Sequence, residues 1–352
     1  NKKKLACMFE KSAHLINYWH LLVISSELKR KKSLRMFIYE IPILIWRDAN
    51  DDIHSVLDSC SHKRSILKVS DFTENEITCP YHGWKYDKKG DLVEIPYSPD
   101  LDLSKMKCHL NTFHTKEVHG LIWIYLNNNQ PPKNLPFSLG HEEDKKWSQV
   151  FIRRTFETTE DLLIENFMDA THTAFTHKGI IRGHGDKVQH LITVITNENG
   201  LIASYAETTE KIGLALELIL GKDLRVSHTD QFLFPNLVKV TYVINDIIRF
   251  TAVISCTSSF SGKTEAVIRL SFNFKWLNPI IKIILPFLTR KVLDQDFKIT
   301  KQQYENQQIF NELKDHSSPV DMIYNKMKSL RKAKINGKAS VKKSEKTFTL
   351  YL

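Results

Sequence analysis

Two short segments of the sequence each carry one cysteine and one histidine. The first is Cys60-Ser61-His62, and after sixteen intervening residues the second is Cys79-Pro80-Tyr81-His82. Thiolates and imidazoles bind transition metals, and each segment presents both of its side chains from one tight turn. The sequence therefore predicts one metal centre with four ligands: Cys60, His62, Cys79 and His82. A Cys2His2 set taken alone is also compatible with structural zinc.

The way these ligands are shared between the two segments favours an iron-sulfur cluster. One Cys and one His on each of two loops is the ligand set of a Rieske 2Fe-2S centre, in which two Cys hold one iron and two His hold the other. The imidazoles raise the reduction potential above that of an all-cysteine cluster. We therefore expect an electron-transfer centre, with a zinc-binding structural protein as the alternative.

A second polar group lies between Glu165 and His177. Asn166, Asp169 and His172 are three residues apart and would form one stripe on a helix. His177 is about 140° further round an ideal helix than His172, so both imidazoles can reach one metal only where the helix ends or bulges. Two His and one carboxylate on one face of Fe(II) leave positions open for O2 and substrate, as in non-haem oxygenases.

The carboxylate of such a site must come from elsewhere, and two acids in the segment 292–299 compete. On a helix, Asp296 shares a face with apolar residues, whereas Asp294 shares a face with basic ones. Asp296 is therefore the predicted third ligand, beside His172 and His177.

The segment Cys79-Pro80-Tyr81-His82-Gly83-Trp84-Lys85-Tyr86 resembles the Rieske domain of Rieske-type non-haem iron oxygenases. The run from Asn166 to His177, N-x-x-D-x-x-H-x-x-x-x-H, resembles the catalytic domain of the same family, and Gln295-Asp296 followed by Gln303 resembles its late ligand motif. The likeness covers roughly residues 15 to 325. One departure is Lys63-Arg64, where the family usually has Arg-Gly after the first His.

This resemblance implies an α+β fold, with a small all-β Rieske domain and a larger, helix-grip-like catalytic domain with a central antiparallel sheet. We expect the domains at residues 1–130 and 131–325, followed by a basic, flexible tail at 326–352. The pattern of apolar, polar and turn-forming residues predicts a strand over 37–47, strands between 188 and 276, and helices near 159–176 and 289–314. Substrate-pocket residues are expected from about 180 to 276.

The resemblance also implies an activity and its cofactors. These are a 2Fe-2S cluster, a mononuclear Fe(II), O2 as co-substrate, and electrons from NAD(P)H through a reductase, directly or through a ferredoxin. The expected reaction is hydroxylation, oxidative demethylation or desaturation of a cyclic small molecule. The family implies a homotrimer in which Asp169 bridges His172 of its own chain and His82 of a neighbour, while Asn166 tunes the iron site. A Rieske electron carrier without oxygenase activity is a further alternative.

Composition limits the remaining possibilities. The chain has 352 residues, 42% apolar and 26% charged, which is ordinary for a globular protein and excludes a collagenous or wholly disordered chain. Five cysteines are too few for a disulfide framework. Residues 326–346 carry +8 of the net charge of +10, so we expect no nucleic-acid partner for the body of the protein.

Membrane insertion is not expected from the sequence. It has no run of 18 apolar residues, so we predict no transmembrane segment. The most apolar stretch, 277–288, is expected to be buried or interfacial. The expected location is the cytoplasm, or an organelle if a transit peptide was trimmed.

Overall fold

The computed structural model of the protein describes residues 15–67, 71–72, 76–127, 129–130, 132, 134, 136–137, 140, 144–177, 180, 188–209, 224–337 and 342–351. The chain forms two units, one of residues 1–138 with 257–261 and one of residues 139–256 with 262–352. The architecture is α+β, as predicted, with small antiparallel sheets in the first unit and one large sheet with helices in the second.

Short apolar strands build the first unit. Its three sheets have the strand orders β1-β10-β9, β2-β3-β4 and β5-β6-β7-β8. The strand pairings in these sheets are antiparallel, which suits strands joined by short turns. The strands are β1 (Trp19–Ile24), β2 (Lys32–Ile38), β3 (Ile41–Arg47), β4 (Ile53–Leu57), β5 (Asp71–Phe72), β6 (Glu76–Thr78), β7 (Lys85–Asp87), β8 (Leu92–Glu94), β9 (His114–Val118) and β10 (Leu121–Tyr125).

The single strand predicted over 37–47 is wrong, because a tight turn divides it. Strand β2 ends at Ile38 and β3 begins at Ile41, with Ile38 paired to Ile41. The two turn residues, Tyr39 and Glu40, have positive φ angles of 50° and 66°, as a two-residue hairpin turn requires. Neither is Gly or Asn, so the turn left no signal in the sequence.

The second unit is built on an eight-stranded sheet with the order β11-β17-β16-β15-β14-β13-β12-β18. The strands expected between 188 and 276 are present as β12 to β17. The strands are β11 (Ser148–Phe156), β12 (Gln189–Asn197), β13 (Gly200–Thr209), β14 (Arg225–Leu233), β15 (Leu237–Ile244), β16 (Ile247–Ser258), β17 (Thr264–Phe272) and β18 (Ser344–Tyr351). Residues 181–187 and 210–223, within the expected pocket region, lie outside the described residues.

Four α-helices accompany this sheet among the described residues, and two of them replace the one predicted near 159–176. They are α1 (Glu160–Met168), α2 (Thr173–Thr176), α3 (Asn278–Ile309) and α4 (Met322–Ile335). Helix α1 begins at Thr159, whose hydroxyl accepts a hydrogen bond from the Leu162 amide, and it has two acids in its first turn. It ends before Asp169, so Asn166 and His172 do not share one helix.

Helix α3 begins eleven residues earlier than the predicted start at 289 and ends at Ile309. Pro279 lies in its first turn, where proline has no intrahelical hydrogen bond to lose. Pro286 lies inside the helix without ending it. The stretch 277–288, expected to be buried or interfacial, contains no buried residue. Among the described residues, no helix is long and apolar enough to cross a membrane.

The flexible tail predicted for 326–352 is wrong for the residues that the structure describes. Helix α4 buries Met327 and Leu330, which lie at helical spacing, and β18 pairs with β12 from Gln189 to Thr196. Arg331 is buried and donates hydrogen bonds to the carboxylates of Glu160 and Asp161 at 2.7 and 2.8 Å. The charge count concealed this apolar stripe, because basic residues are interspersed with the apolar ones along the helix.

Candidate metal centres

The first candidate centre consists of two loops with the same backbone geometry. The Cys60 amide donates to the Ser65 carbonyl, and the Cys60 carbonyl accepts from the Arg64 amide, both at 2.9 Å. Cys79 repeats this with Trp84 and Gly83 at 2.8 and 3.0 Å. Each loop therefore holds its cysteine by the same pair of hydrogen bonds, one loop following β4 and the other joining β6 to β7.

The four predicted ligands of this centre form two pairs across the loops, cysteine with cysteine and histidine with histidine. Cys60 and Cys79 are buried in the core of the first unit beside Trp46 and Tyr86. The rings of His62 and His82 are 4.7 Å apart between centroids. His62 also stacks on Trp84, with the centroids 4.3 Å apart and the rings parallel within 2°. This contact fixes the orientation of the imidazole.

The donor atoms at these loops fit a metal cluster. Nδ1 of His62 is buried and has no hydrogen-bond partner. Burial, with His82 and Lys63 nearby, lowers the pKa of His62 and favours the neutral imidazole that ligates metals. Burial raises the pKa of the Cys60 thiol, so a bound metal ion is what would keep it deprotonated here.

Tyr86 supports the first loop, a role that motif reading did not assign to it. Its hydroxyl lies 3.1 Å from Cys60 Sγ and 2.9 Å from Ser61 Oγ, and the residue is fully buried. Burial raises the pKa of the phenol, so the group stays protonated and can donate to a cysteine thiolate. Its position within the family motif was the only signal in the sequence.

The second candidate centre joins residues from two distant parts of the chain. His172 and His177 flank the short helix α2, and Asp296 lies on α3. Their ligand atoms all lie within 4.8 Å of one another. The Nε2 atoms of the two imidazoles are 3.2 Å apart, and Asp296 Oδ1 lies 3.5 Å from His172 Nε2 and 3.0 Å from His177 Nε2.

The other nitrogen of each imidazole determines which atom faces this cluster. His172 Nδ1 donates to the Asp169 backbone carbonyl at 2.7 Å, and His177 Nδ1 donates to Gln295 Oε1 at 2.9 Å. A neutral imidazole with its proton on Nδ1 presents a lone pair at Nε2. Asp296 Oδ1 is buried with no hydrogen-bond partner. Three electron-pair donors thus face one another, an arrangement that a cation stabilises.

The pKa values at this centre show the same preference for positive charge. Burial by itself raises the pKa of Asp296, but the facing His172 and His177 rings lower it to about 2. Burial by itself lowers the pKa of His172, yet Asp169 and Asp296 raise it to about 9. Without a metal, a proton on His172 supplies the charge, and a divalent cation would replace that proton.

Asp169 and Asn166 lie beside the three candidate ligands. The Asp169 carboxylate accepts hydrogen bonds from the Thr171 amide at 2.7 Å, from the Thr171 hydroxyl at 2.6 Å and from the His172 amide at 3.2 Å. Burial by itself raises its pKa, but contacts with His172 and Thr171 lower it, so it is ionised at neutral pH. Asn166 faces Asp296 and lowers the pKa of that carboxyl.

These contacts explain why α1 stops before His172, contrary to the predicted polar stripe on one helix. A carboxylate that bonds to the amides two and three residues later competes with helical hydrogen bonding. The resulting turn brings His172 and His177 to one point. The burial of Asp296 and Asp294 agrees with the prediction that Asp296 points inward. Asp296 is 1% exposed, whereas Asp294 is exposed and pairs with Arg154.

A row of rings crosses the sheet of the second unit, and sequence reasoning did not identify it. Tyr205, His228, Tyr242 and Phe250 are direct partners on β13, β14, β15 and β16. Successive ring centroids are 3.9, 5.2 and 6.2 Å apart. Burial and the charges of Asp230 and Asp169 raise the pKa of the Tyr205 phenol, so the row begins with a protonated hydroxyl. Only strand register aligns these residues.

Comparison with known proteins identifies two domain families in the chain. Residues 18–113 match the Rieske [2Fe-2S] domain, and residues 156–337, just over half of the chain, match the vanillate O-demethylase oxygenase C-terminal domain. The chain is 23% identical over 294 residues to chlorophyllide a oxygenase of Oryza sativa subsp. japonica, which covers 83% of this chain and 52% of that protein. It is 26% identical over 190 residues to methylxanthine N3-demethylase NdmB of Pseudomonas putida, which covers 51% of this chain and 53% of that one.

The fold is also similar to that of a solved structure. Dicamba monooxygenase bound to dicamba superposes with a TM-score of 0.78 at 16% identity, covering 92% of this chain and 98% of that one. The chain spans about half the length of the curated relatives given above, at 52% and 53%.

Proposed function

The chain belongs to the Rieske-type non-haem iron oxygenases, and from this premise we propose that it oxidises a cyclic small molecule with O2 and electrons from NAD(P)H. The reaction is hydroxylation, or an oxidative demethylation or desaturation that begins at the same C–H bond. Electrons arrive through a reductase, with or without a ferredoxin. The observation that carries this proposal is the convergence of His172, His177 and Asp296 on one point.

The residues divide between two metal centres. Cys60, His62, Cys79 and His82 would hold the 2Fe-2S cluster, and His172, His177 and Asp296 would hold the mononuclear iron. When bound, the cluster supplies electrons one at a time and the mononuclear iron activates O2. Three protein ligands would leave further positions on such an iron for O2 and substrate. Gln295 and the Asp169 carbonyl hold both Nδ1 atoms, so that both Nε2 lone pairs would be free to bind the iron.

Asp169 is the residue for which we propose a role in electron delivery. In the assembled homotrimer implied by the family, its carboxylate would bridge His172 of its own chain and His82 of a neighbouring one. Its ionised state and its position beside His172 support this role. Asn166, facing Asp296, would tune the iron site.

The proposed substrate class rests on the ring row and on the relatives. Flat rings stack on aromatic side chains and imidazoles, so the row from Tyr205 to Phe250 suits a planar cyclic substrate. The names of the relatives give chlorophyllide a and methylxanthines as their substrates. The location of this protein, in the cytoplasm or an organelle, stays a prediction.

The two alternatives explain less. An electron carrier without oxygenase activity accounts for the cluster loops but not for three donor atoms within 4.8 Å in the second unit. A zinc protein would be colourless. The proposal predicts a red-brown protein with about three iron and two sulfide ions per chain.

The decisive experiment compares His172→Ala with Asp294→Asn. Replacement of His172 should leave the visible spectrum of the cluster intact and abolish O2-dependent product formation from a panel of cyclic metabolites. Asp294 lies two residues from Asp296, but its side chain is exposed and paired with Arg154. The Asp294 variant should therefore keep both the cluster spectrum and product formation. Product formation by the His172 variant at the wild-type rate would overturn the proposal.

A further inference from the structure

The first half of α3 presents an exposed apolar face. Ile280, Ile283, Ile284 and Phe287 have the spacing that aligns residues on one side of a helix. Their exposed fractions are 51%, 67%, 49% and 67%. Trp276, just before the helix, is 78% exposed, and Leu288 extends the face. We call these six residues the outer face of α3.

Each side chain of the outer face leaves 44% or more of its surface exposed. The half-buried side of this half of the helix carries a different apolar set, Ile281, Leu285 and Val292. The buried residues of α3 are Leu293, Asp296 and Thr300, all in its second half. Polar residues on the outer face would therefore leave the fold intact. Contiguous exposed apolar residues of this kind mark an interaction surface.

The charges on the chain segment that carries the outer face are of one sign. From Ala266 to Leu293 the sequence contains no Asp or Glu. Exposed basic residues stand before the face and after it, Lys275, Arg290 and Lys291, and exposed Lys282 lies on the side of the helix away from it. Among the described residues, none of these four is paired with a carboxylate.

We propose that the outer face of α3 binds the surface of an anionic lipid membrane, with the helix lying in the plane of the interface. A helix with Trp, Phe and Ile on one side and long cationic side chains around it can bury the apolar groups among lipid tails while the amines reach the phosphates. The face from Trp276 to Leu288 is about 20 Å long, too short to cross a bilayer of about 30 Å. This inference goes beyond the proposed oxygenase reaction.

Vesicle flotation of the metal-loaded protein tests this proposal. The wild type should float with vesicles of phosphatidylcholine and phosphatidylglycerol, bind far less to phosphatidylcholine alone, and release as salt rises. The double variant Ile283→Ser/Phe287→Ser should bind the anionic vesicles at least about tenfold more weakly, because two side chains that would enter the lipid are lost.

A matched control lies at the other end of the same helix. Ile309 and Phe310 are 69% and 54% exposed, so Ile309→Ser/Phe310→Ser also removes one exposed Ile and one exposed Phe. This variant should float as the wild type does. Equal weakening by both double variants, or no flotation of the wild type, would overturn the proposal.

The competing occupant is a second protein chain, and it gives a different result. If the outer face joined two copies, Ile283→Ser/Phe287→Ser would lower the oligomeric mass measured by sedimentation. The fraction of protein that floats with the vesicles would then be the same for this variant and the wild type. That outcome would also overturn the membrane proposal. Because all four substituted residues are exposed, the cluster absorbance should confirm folding in every variant.

Discussion

The nitrogen atom that each imidazole turns towards the iron depends on what its other nitrogen contacts. His172 is held by a backbone carbonyl, which any residue at position 169 could supply. His177 is held by the side chain of Gln295, which only that residue supplies. At the residue scale, Gln295 is therefore a positioning residue of the iron site, and a substitution can test it without changing a ligand.

Replacing Gln295 by Leu should weaken Fe(II) binding by about 10- to 100-fold, because His177 loses the acceptor that fixes its tautomer. Gln295→Glu keeps an oxygen acceptor at this position and should bind Fe(II) at least as tightly as the wild type. The measurement is competition with a chelator, with the cluster spectrum as the control for folding. Equal Fe(II) affinity in the Leu variant would remove Gln295 from this role.

At the scale of structural elements, the two cluster loops have one backbone plan but different residues at one position. The amide that closes the first loop belongs to Arg64, with φ of 62°, and the corresponding residue of the second loop is Gly83, with φ of 69°. The left-handed conformation costs an ordinary residue about 1–2 kcal/mol, whereas glycine adopts it readily. The departure from the family motif at Arg64 is thus a site of backbone strain.

Arg64→Gly should raise the free energy of unfolding of the first unit by up to about 1 kcal/mol, since relief of the strain exceeds the extra entropy of glycine in the unfolded chain. Thermal loss of cluster absorbance measures it. Gly83→Ala is the control with the opposite expected effect. It should lower the free energy of unfolding, because Ala is strained at this positive φ and its Cβ would also lie 3.0 Å from Pro96 Cγ. A lower temperature midpoint of cluster loss for Arg64→Gly than for the wild type would contradict this account.

Helix α1 carries a half-buried carboxyl, Glu165, close to Tyr324 and Lys328 of α4. Burial raises its pKa from the usual 4.5 to about 7. A pKa that is higher in the folded state means that the folded protein binds more protons, so stability falls as pH rises from about 4.5 to 7 and stays lower above that.

Glu165→Gln should therefore be more stable than the wild type at pH 8, by about 1–2 kcal/mol after allowance for partial solvent exposure, with little difference at pH 4.5. Urea unfolding at equal metal content measures it. Glu157 is the control of opposite sign, because its contact with Lys301 lowers its pKa. A Glu157→Gln variant should show no gain at pH 8. A pH-independent effect of Glu165→Gln would disprove the assignment.

At the scale of the whole molecule, the two metal centres lie in different units of the chain. Electrons must pass from one to the other if the proposed reaction occurs. Asp169 is the residue proposed to connect them, and it is not itself a ligand in either centre. Its loss should therefore affect transfer rather than metal content.

Asp169→Asn should keep both metals and slow reoxidation of the reduced cluster by O2 and substrate by about 10- to 100-fold, because Asn lacks the charge that holds His172. Its amide oxygen can still accept from the Thr171 amide, so the turn should survive. Stopped-flow absorbance measures the rate, and Asp294→Asn serves as the control. Reoxidation at the wild-type rate would exclude Asp169 from electron delivery.

The sequence by itself determined the donor types, their spacing and the inward-facing acid. Cys and His at fixed intervals, and the apolar face around Asp296, are local properties that chain order preserves. It did not determine the hairpin turn at Tyr39-Glu40 or the packing of α4, where basic residues concealed an apolar stripe.

Only the tertiary structure decided which atoms meet. Gln295 and His177 are 118 residues apart in sequence, and the row from Tyr205 to Phe250 exists only through the register of four strands. Such contacts depend on how distant elements pack, and pairing between strands is set by the whole sheet rather than by any short segment. A single sequence records the members of these contacts without recording that they touch.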